Sequence, residues 1–153
     1  VTITGSNFTR SVFTNDTGDY FIFNVPAGGT YTVTPSLTNF TFSPTSRTYT
    51  NLSSDQNFQD YVAALSCSYT ISPTSVVVPA SSGSYGFNIF SNSGCPWQAT
   101  TTTPWISVTN SSGAGNGTIS YSVQANNTDS PRSGTITVAG QTFTVNQNSA
   151  QNP

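Results

Sequence analysis

Polarity alternates residue by residue along most of this chain. Stretches such as "TYTVTPS", "GTISYSVQAN" and "RSGTITVAG" set apolar side chains against polar ones with a period of two. That is the pattern of a strand with one face in a core and the other in water. No window of ten or more residues carries a helical period. Val, Ile, Thr, Tyr and Phe dominate, and they suit a pleated, half-buried surface. Between the alternating stretches sit turn-forming clusters such as "NDTGD" and "VPAGGT". Many short strands with regular turn signals predict an all-β chain built as sandwiches.

The charge pattern excludes most chemistry. Of 153 residues only 5% are charged: Arg10, Arg47 and Arg132 against five Asp, for a net charge of -2. Low net charge with 12% aromatic residues is the reverse of a disordered composition. The chain has no His, Lys, Glu or Met. Without His there is no Ser-His-Asp or Cys-His catalysis and no imidazole metal ligand. Without Lys there is no Schiff base and no phosphate-loop lysine. Acid–base work would fall to Asp alone, and no Asp sits in an apolar run that would raise its pKa. The chain therefore reads as non-enzymatic and free of cofactors. Three scattered Arg make no nucleic-acid footprint, and no apolar run reaches the length of a membrane span.

Cys67 and Cys95 are an even pair in a chain of extracellular character. A disulfide between them would close a loop worth roughly 3–4 kcal/mol on the loop-entropy model. The alternative is two buried free thiols. Two isolated Cys without His cannot close a zinc site.

Two modules follow one another, 1–63 and 64–153. In the first, the strands read "VTITG", "RSVFT", "DYFIFNV", "TYTVTPS", "FTFSP", "SRTYTNL" and "QNFQDYVA". Alternation in "DYFIFNV" puts Tyr20, Ile22 and Asn24 on one face and Phe21, Phe23 and Val25 on the other. Phe21 and Phe23, with Tyr31 and Val33, are the expected core. After the apolar joint "YVAAL" the second module reads "CSYTISP", "SVVVPA", "SYGFNIFS", "PWQATTT", "WISVTN", "GTISYSVQAN", "RSGTITVAG" and "QTFTVNQN". "VAGQTFTV" predicts a hairpin with Gly140 at its turn.

The first module resembles the carboxypeptidase-regulatory-like and B-repeat group of surface modules over about residues 1–60. Thr14, Gly18, Tyr20, Pro26, Gly28, Tyr31, Phe40, Phe42, Pro44 and Phe58 carry the likeness. It implies a seven-stranded, transthyretin-like sandwich that serves as a stalk or spacer. In that family a further strand precedes the "VTITG" strand, so the sandwich reads as incomplete. The second module resembles the BACON domain over about residues 67–148. Cys67, Cys95, Trp97, Trp105, Gly113, Gly115, Gly117, Asn126, Arg132, Gly134 and Gln147 carry that likeness. It implies an immunoglobulin-like sandwich of secreted bacterial proteins, often found beside glycan-degrading enzymes, with a proposed carbohydrate-binding role.

Several residues invite sharper readings. Trp97 and Trp105 could stack on sugars, but both are expected in the core, as Trp is in immunoglobulin sandwiches. Phe8, Phe40 and Tyr85 are equally open as sugar contacts. Asp16 and Asp19 in "NDTGD" form a weak calcium candidate against an ordinary Asx turn. Arg132 is either a ligand clamp or a snorkelling side chain paired with a loop carbonyl. Asn7, Asn15, Asn39, Asn51, Asn110, Asn116 and Asn126 head N-x-S/T triplets and are candidate glycosylation sites. A composition so rich in Ser and Thr yields a comparable number by chance, so their position in turns counts for more. A surface poor in charge also has need of another source of solubility.

A sandwich short of a strand exposes unpaired N–H and C=O groups, a template for another chain. The alternatives are a chain boundary, an upstream strand, one repeat of a longer array, or a strand from a neighbouring copy. The expected assembly edge is Val1, Thr2, Ile3, Thr4 and Gly5, with the polar tail "NSAQNP" as linker or donor. The main reading is an extracellular or cell-surface fibre or stalk subunit, likewise glycosylated, joined head-to-tail to copies of itself. The rival is a carbohydrate-binding accessory module of a secreted glycan-degrading or adhesion protein.

Overall fold

A computed structural model of the chain describes residues 1–57 and 59–150; Phe58 and tail residues 151–153 lie outside the described residues. The described chain is all-β and divides into two units, the first Val1–Ser66 and the second starting at Cys67.

Six strands are described in the first unit. They are β1 (Thr2–Gly5), β2 (Phe8–Ser11), β3 (Tyr31–Thr34), β4 (Phe40–Ser43), β5 (Arg47–Tyr49) and β6 (Val62–Leu65). They form an antiparallel sheet in the order β2-β1-β3-β5 and a two-stranded sheet β4-β6. The β1–β2 hairpin turns on Ser6 and Asn7, whose φ values are 43° and 60°. That geometry matches the strand twist. Gly5 precedes the turn because any Cβ there would collide with the Thr30 carbonyl oxygen. Ile3 and Val33 are register partners and share the buried face with Tyr31.

Three expectations for this unit are corrected. First, Phe21 and Phe23 are not core: they are 63% and 66% exposed. Tyr20 and Ile22 pack inward instead. The alternation is present with the opposite face turned in. Asn24, with φ 56°, breaks it so that Val25 also turns inward. Second, Val1–Gly5 is not an open edge. β1 is hydrogen-bonded to β2 on one side and to β3 on the other. Its groups are already paired, so it cannot receive a neighbour's strand, and the head-to-tail assembly built on that edge has no support here. Third, "YVAAL" is not a joint: Val62–Leu65 is strand β6, paired to β4.

The second unit adds β7 (Tyr69–Ser72), β8 (Ser75–Val78), β9 (Gly83–Ser91), β10 (Pro96–Thr100) and β11 (Ile106–Val108). After these come β12 (Ser112–Ala114), β13 (Gly117–Val123), β14 (Arg132–Val138) and β15 (Gln141–Gln147). One sheet runs β12-β10-β14-β15-β8 and the other β11-β13-β9-β7. β15 and β8 pair in parallel; the other pairs are antiparallel. Each long strand sends alternate residues into one core: Phe87 and Ile89, Ile119, Tyr121 and Val123, Ile136 and Val138, Phe143 and Val145. Phe87 of one sheet stacks on Phe143 of the other, with centroids 4.0 Å apart and planes 9° apart. The β14–β15 hairpin turns on Ala139 and Gly140, both with positive φ. Cys67 and Cys95 are disulfide-bonded, Cα to Cα 5.5 Å. The tail is no free donor as far as it is described. Asn148 N–H donates to the Val78 carbonyl, Ala150 N–H donates to the Thr128 carbonyl, and Ser149 is buried.

Trp97 explains two glycines. Its buried indole N–H donates to the Gly115 carbonyl at 2.9 Å. A Cβ at either Gly113 or Gly117 would lie 2.5 Å from its ring. Gly117→Ala is expected to cost about 1–3 kcal/mol in a denaturant melt, through overpacking. The Tyr121 hydroxyl is buried without a hydrogen-bond partner. Tyr121→Phe is therefore expected to be neutral or stabilising, and a loss above about 1 kcal/mol would contradict this account of the core.

Candidate functional site

The exposed rings of Phe21 and Phe23 lie parallel to one another. Their centroids are 6.1 Å apart and their planes differ by 6°. Residues i and i+2 of an extended segment project from the same face, which is why the two rings form one shelf. Among the described residues, the backbone of 20–25 enters no sheet ladder. Side chains hold the segment instead. The Tyr20 hydroxyl donates to the Gln59 carbonyl at 2.9 Å, and Arg10 Nη1 donates to the Phe23 carbonyl at 2.6 Å. The turn that follows is tied by Gly28 N–H to the Leu52 carbonyl and by Leu52 N–H to the Gly29 carbonyl.

The shelf borders a groove of about 510 Å³. Ile3, Val33 and Tyr49 line it from β1, β3 and β5. Leu52, Ser53, Ser54 and Asp55 line it, as do the amides of Asn24, Gln56 and Asn57. Apolar surface with a few well-placed polar groups is the usual make-up of a small-ligand site.

Tyrosines fix the groove's polar groups. Tyr49 donates to Gln59 Oε1 at 2.9 Å, and Gln59 Nε2 donates to the Asn57 carbonyl at 2.7 Å. Tyr61 donates to the Val33 carbonyl at 3.0 Å. Burial raises the pKa of Tyr20 and Tyr49 above the ordinary phenol value. Burial, then the neighbouring Tyr20 and Tyr49, push Tyr61 up to about 12. These phenols are neutral donors at any physiological pH.

The remaining sequence candidates are placed as follows. Phe8 is half-buried, edge-on to Tyr31 at 6.0 Å with Arg10 over its ring. Phe40 is exposed in β4, and Tyr85 is half-buried against Tyr121. Trp97 is buried; Trp105 is half-buried beneath the Arg132 guanidinium, 4.3 Å from its ring. Arg132 is committed internally: Nη2 donates to the Gln124 carbonyl and Nε donates to Gln147 Oε1. Buried Gln147 in turn directs Nε2 to the Ala80 and Gln124 carbonyls.

In "NDTGD", Asn15 Oδ1 accepts from Thr17 and Asp19 N–H groups, an Asx turn. The Asp19 carboxylate accepts from Thr17 Oγ1 and Asn15 Nδ2, which hold its pKa below the usual value. Asp16 is exposed, and no three metal-ligating side chains cluster among the described residues. Asn7, Asn15, Asn39, Asn51, Asn110 and Asn116 are exposed. Asn126 is corrected: it is 1% exposed, and Nδ2 donates to both the Ser130 and Asn148 carbonyls. Both amide hydrogens are spent, so no glycan can be carried there. Local sequence carries no sign of this.

Strands β10 to β15 fall in the part of the chain that matches a known family. Residues 96–148 match the family model "BACON: Putative binding domain, N-terminal". That match spans about a third of the chain. A solved structure that matches is the Bacteroides ovatus GH5 xyloglucanase in complex with a XXXG heptasaccharide, at 22% identity and a TM-score of 0.49. The matched part covers 56% of this chain and 20% of that one. No curated protein matches the chain.

The tyrosine cluster gives a pH test. For Tyr61 the folded value of about 12 lies above the unfolded 10.0. The stability its neutral form contributes is complete below pH 10 and is lost as pH rises toward about 12. Tyr121 is likewise pushed up to about 12 by burial. An ultraviolet alkaline titration is expected to show both phenols ionising late, and Tyr61→Phe should remove one of them. Seven phenols ionising together near 10 would contradict the packing described.

Proposed function

We propose that this chain is a non-catalytic, carbohydrate-binding accessory module of a secreted or cell-surface protein, and that the groove beside Phe21 and Phe23 takes the sugar. The parallel, water-exposed ring pair carries this reading. Two aromatic faces of 63% and 66% exposure cost free energy in water unless something covers them. Ring faces are electronegative, and the C–H bonds on a pyranose face are their natural complement. Hydroxyl and amide side chains next to the shelf can exchange hydrogen bonds with sugar hydroxyls.

The match of residues 96–148 to a binding-domain family supports the same class of function. The absence of His, Lys and Glu from the sequence supports a non-catalytic role. The Cys67–Cys95 disulfide supports an oxidising, extracellular setting. We read the first unit, Val1–Ser66, as a carboxypeptidase-regulatory-like or B-repeat-type module that carries a ligand groove. The six exposed N-x-S/T asparagines, four in the first unit and two in the second, are the chain's positions for attached glycans.

Affinity electrophoresis and calorimetry of the full chain against soluble polysaccharides test the proposal. Saturable binding is expected, weakened about tenfold or more by the double variant Phe21→Ala, Phe23→Ala. The melting temperature of that variant should hardly change, because neither ring is in the core. Binding untouched by the double variant, or no saturable binding at all, would overturn the proposal.

A further inference from the structure

We infer that the groove selects a neutral glycan, one without uronate, sulfate or phosphate groups; this rests on the carbohydrate reading of the same groove. Asp55 is the one side chain among the described lining residues that is charged at neutral pH. The other polar side chains there are amides, hydroxyls and neutral phenols. The two nearby cations do not line the groove and are already engaged. Arg10 donates to the Phe23 carbonyl and lies over the Phe8 ring at 5.4 Å. Arg47 donates through Nη2 to the Asp60 carbonyl and lies over the Tyr61 ring at 5.6 Å; its Nε is buried, without a hydrogen-bond partner, and so faces away from solvent.

An acidic sugar entering this groove would surrender hydration of its charge without gaining an ion pair. It would also meet the Asp55 carboxylate and a chain of net charge -2. A neutral sugar loses only hydroxyl–water hydrogen bonds, and amides and hydroxyls replace those in kind. The aromatic shelf contributes the same to either ligand. Discrimination therefore comes from the lining, and its sign is set by Asp55.

The test uses the full chain and matched soluble polysaccharides. Neutral β-glucan, xylan, mannan and dextran would each be compared with a carboxymethylated derivative by calorimetry at low and moderate salt. A neutral member is expected to bind at least about tenfold more tightly than its carboxymethylated partner. Its affinity should change little with salt, whereas added salt should narrow the gap. Asp55→Asn should narrow the gap, raising affinity for the carboxymethylated partner severalfold relative to the neutral one. Equal or tighter binding of a carboxymethylated member would overturn the neutral-ligand inference and leave the carbohydrate reading standing. Absence of saturable binding to every member of the panel would overturn both.

Discussion

The parity of one six-residue segment decides what the first unit presents to water. Tyr20 is held inward by its hydroxyl on the Gln59 carbonyl, and Ile22 follows it two residues on. Successive side chains of an extended segment point to opposite faces, so Phe21 and Phe23 must point out. Asn24 then takes a left-handed φ and restores Val25 to the core side. A slip of one residue would bury both rings and expose Tyr20 and Ile22. The shelf, the groove it borders and the function proposed for it all follow from that choice.

The two units use their aromatic residues differently. In the second, the large rings hold the sandwich together. Phe87 and Phe143 stack between the sheets, Trp97 fills the space left by Gly113 and Gly117, and Trp105 is capped by Arg132. Polar residues there are spent on the frame as well: Gln147 and Asn126 bind the carbonyls of neighbouring turns. In the first unit, Ile3, Tyr31 and Val33 are the buried hydrophobic residues. Tyrosine hydroxyls and Arg10 hold segments that no ladder fixes, and Phe13, Phe21, Phe23 and Phe40 remain exposed to water.

Most of the fold was legible because burial in the second unit follows the period-two pattern closely. "GTISYSV" shows its inward residues by polarity alone, and "QTFTVNQ" shows Phe143 and Val145 but not the buried Gln147. β12, "SGA", has no apolar side chain larger than a methyl group to announce it, and its pairing with β10 is a tertiary fact. The shelf was half legible. Alternation divides 20–25 correctly at Phe21, Phe23, Tyr20 and Ile22, but nothing local states which set faces in. Size and apolarity favour the phenylalanines. The contacts of Tyr20 with Gln59, nearly forty residues away, decide otherwise. Asn126 is the same lesson in a polar residue. Its triplet looks like the six exposed ones, yet the connecting segments at Ala80, Ser130 and Asn148 hold it buried. The open edge expected at Val1–Gly5 was drawn from a resemblance, whereas the hydrogen bonds of β1 on both sides are set by β2 and β3 themselves.

Aromatic-proton NMR during titration with a neutral polysaccharide tests the central claim most directly. The ring resonances of Phe21 and Phe23 should shift together and saturably, while those of Phe87 and Phe143 in the second core stay in place. Saturable binding that leaves Phe21 and Phe23 unmoved would contradict the account.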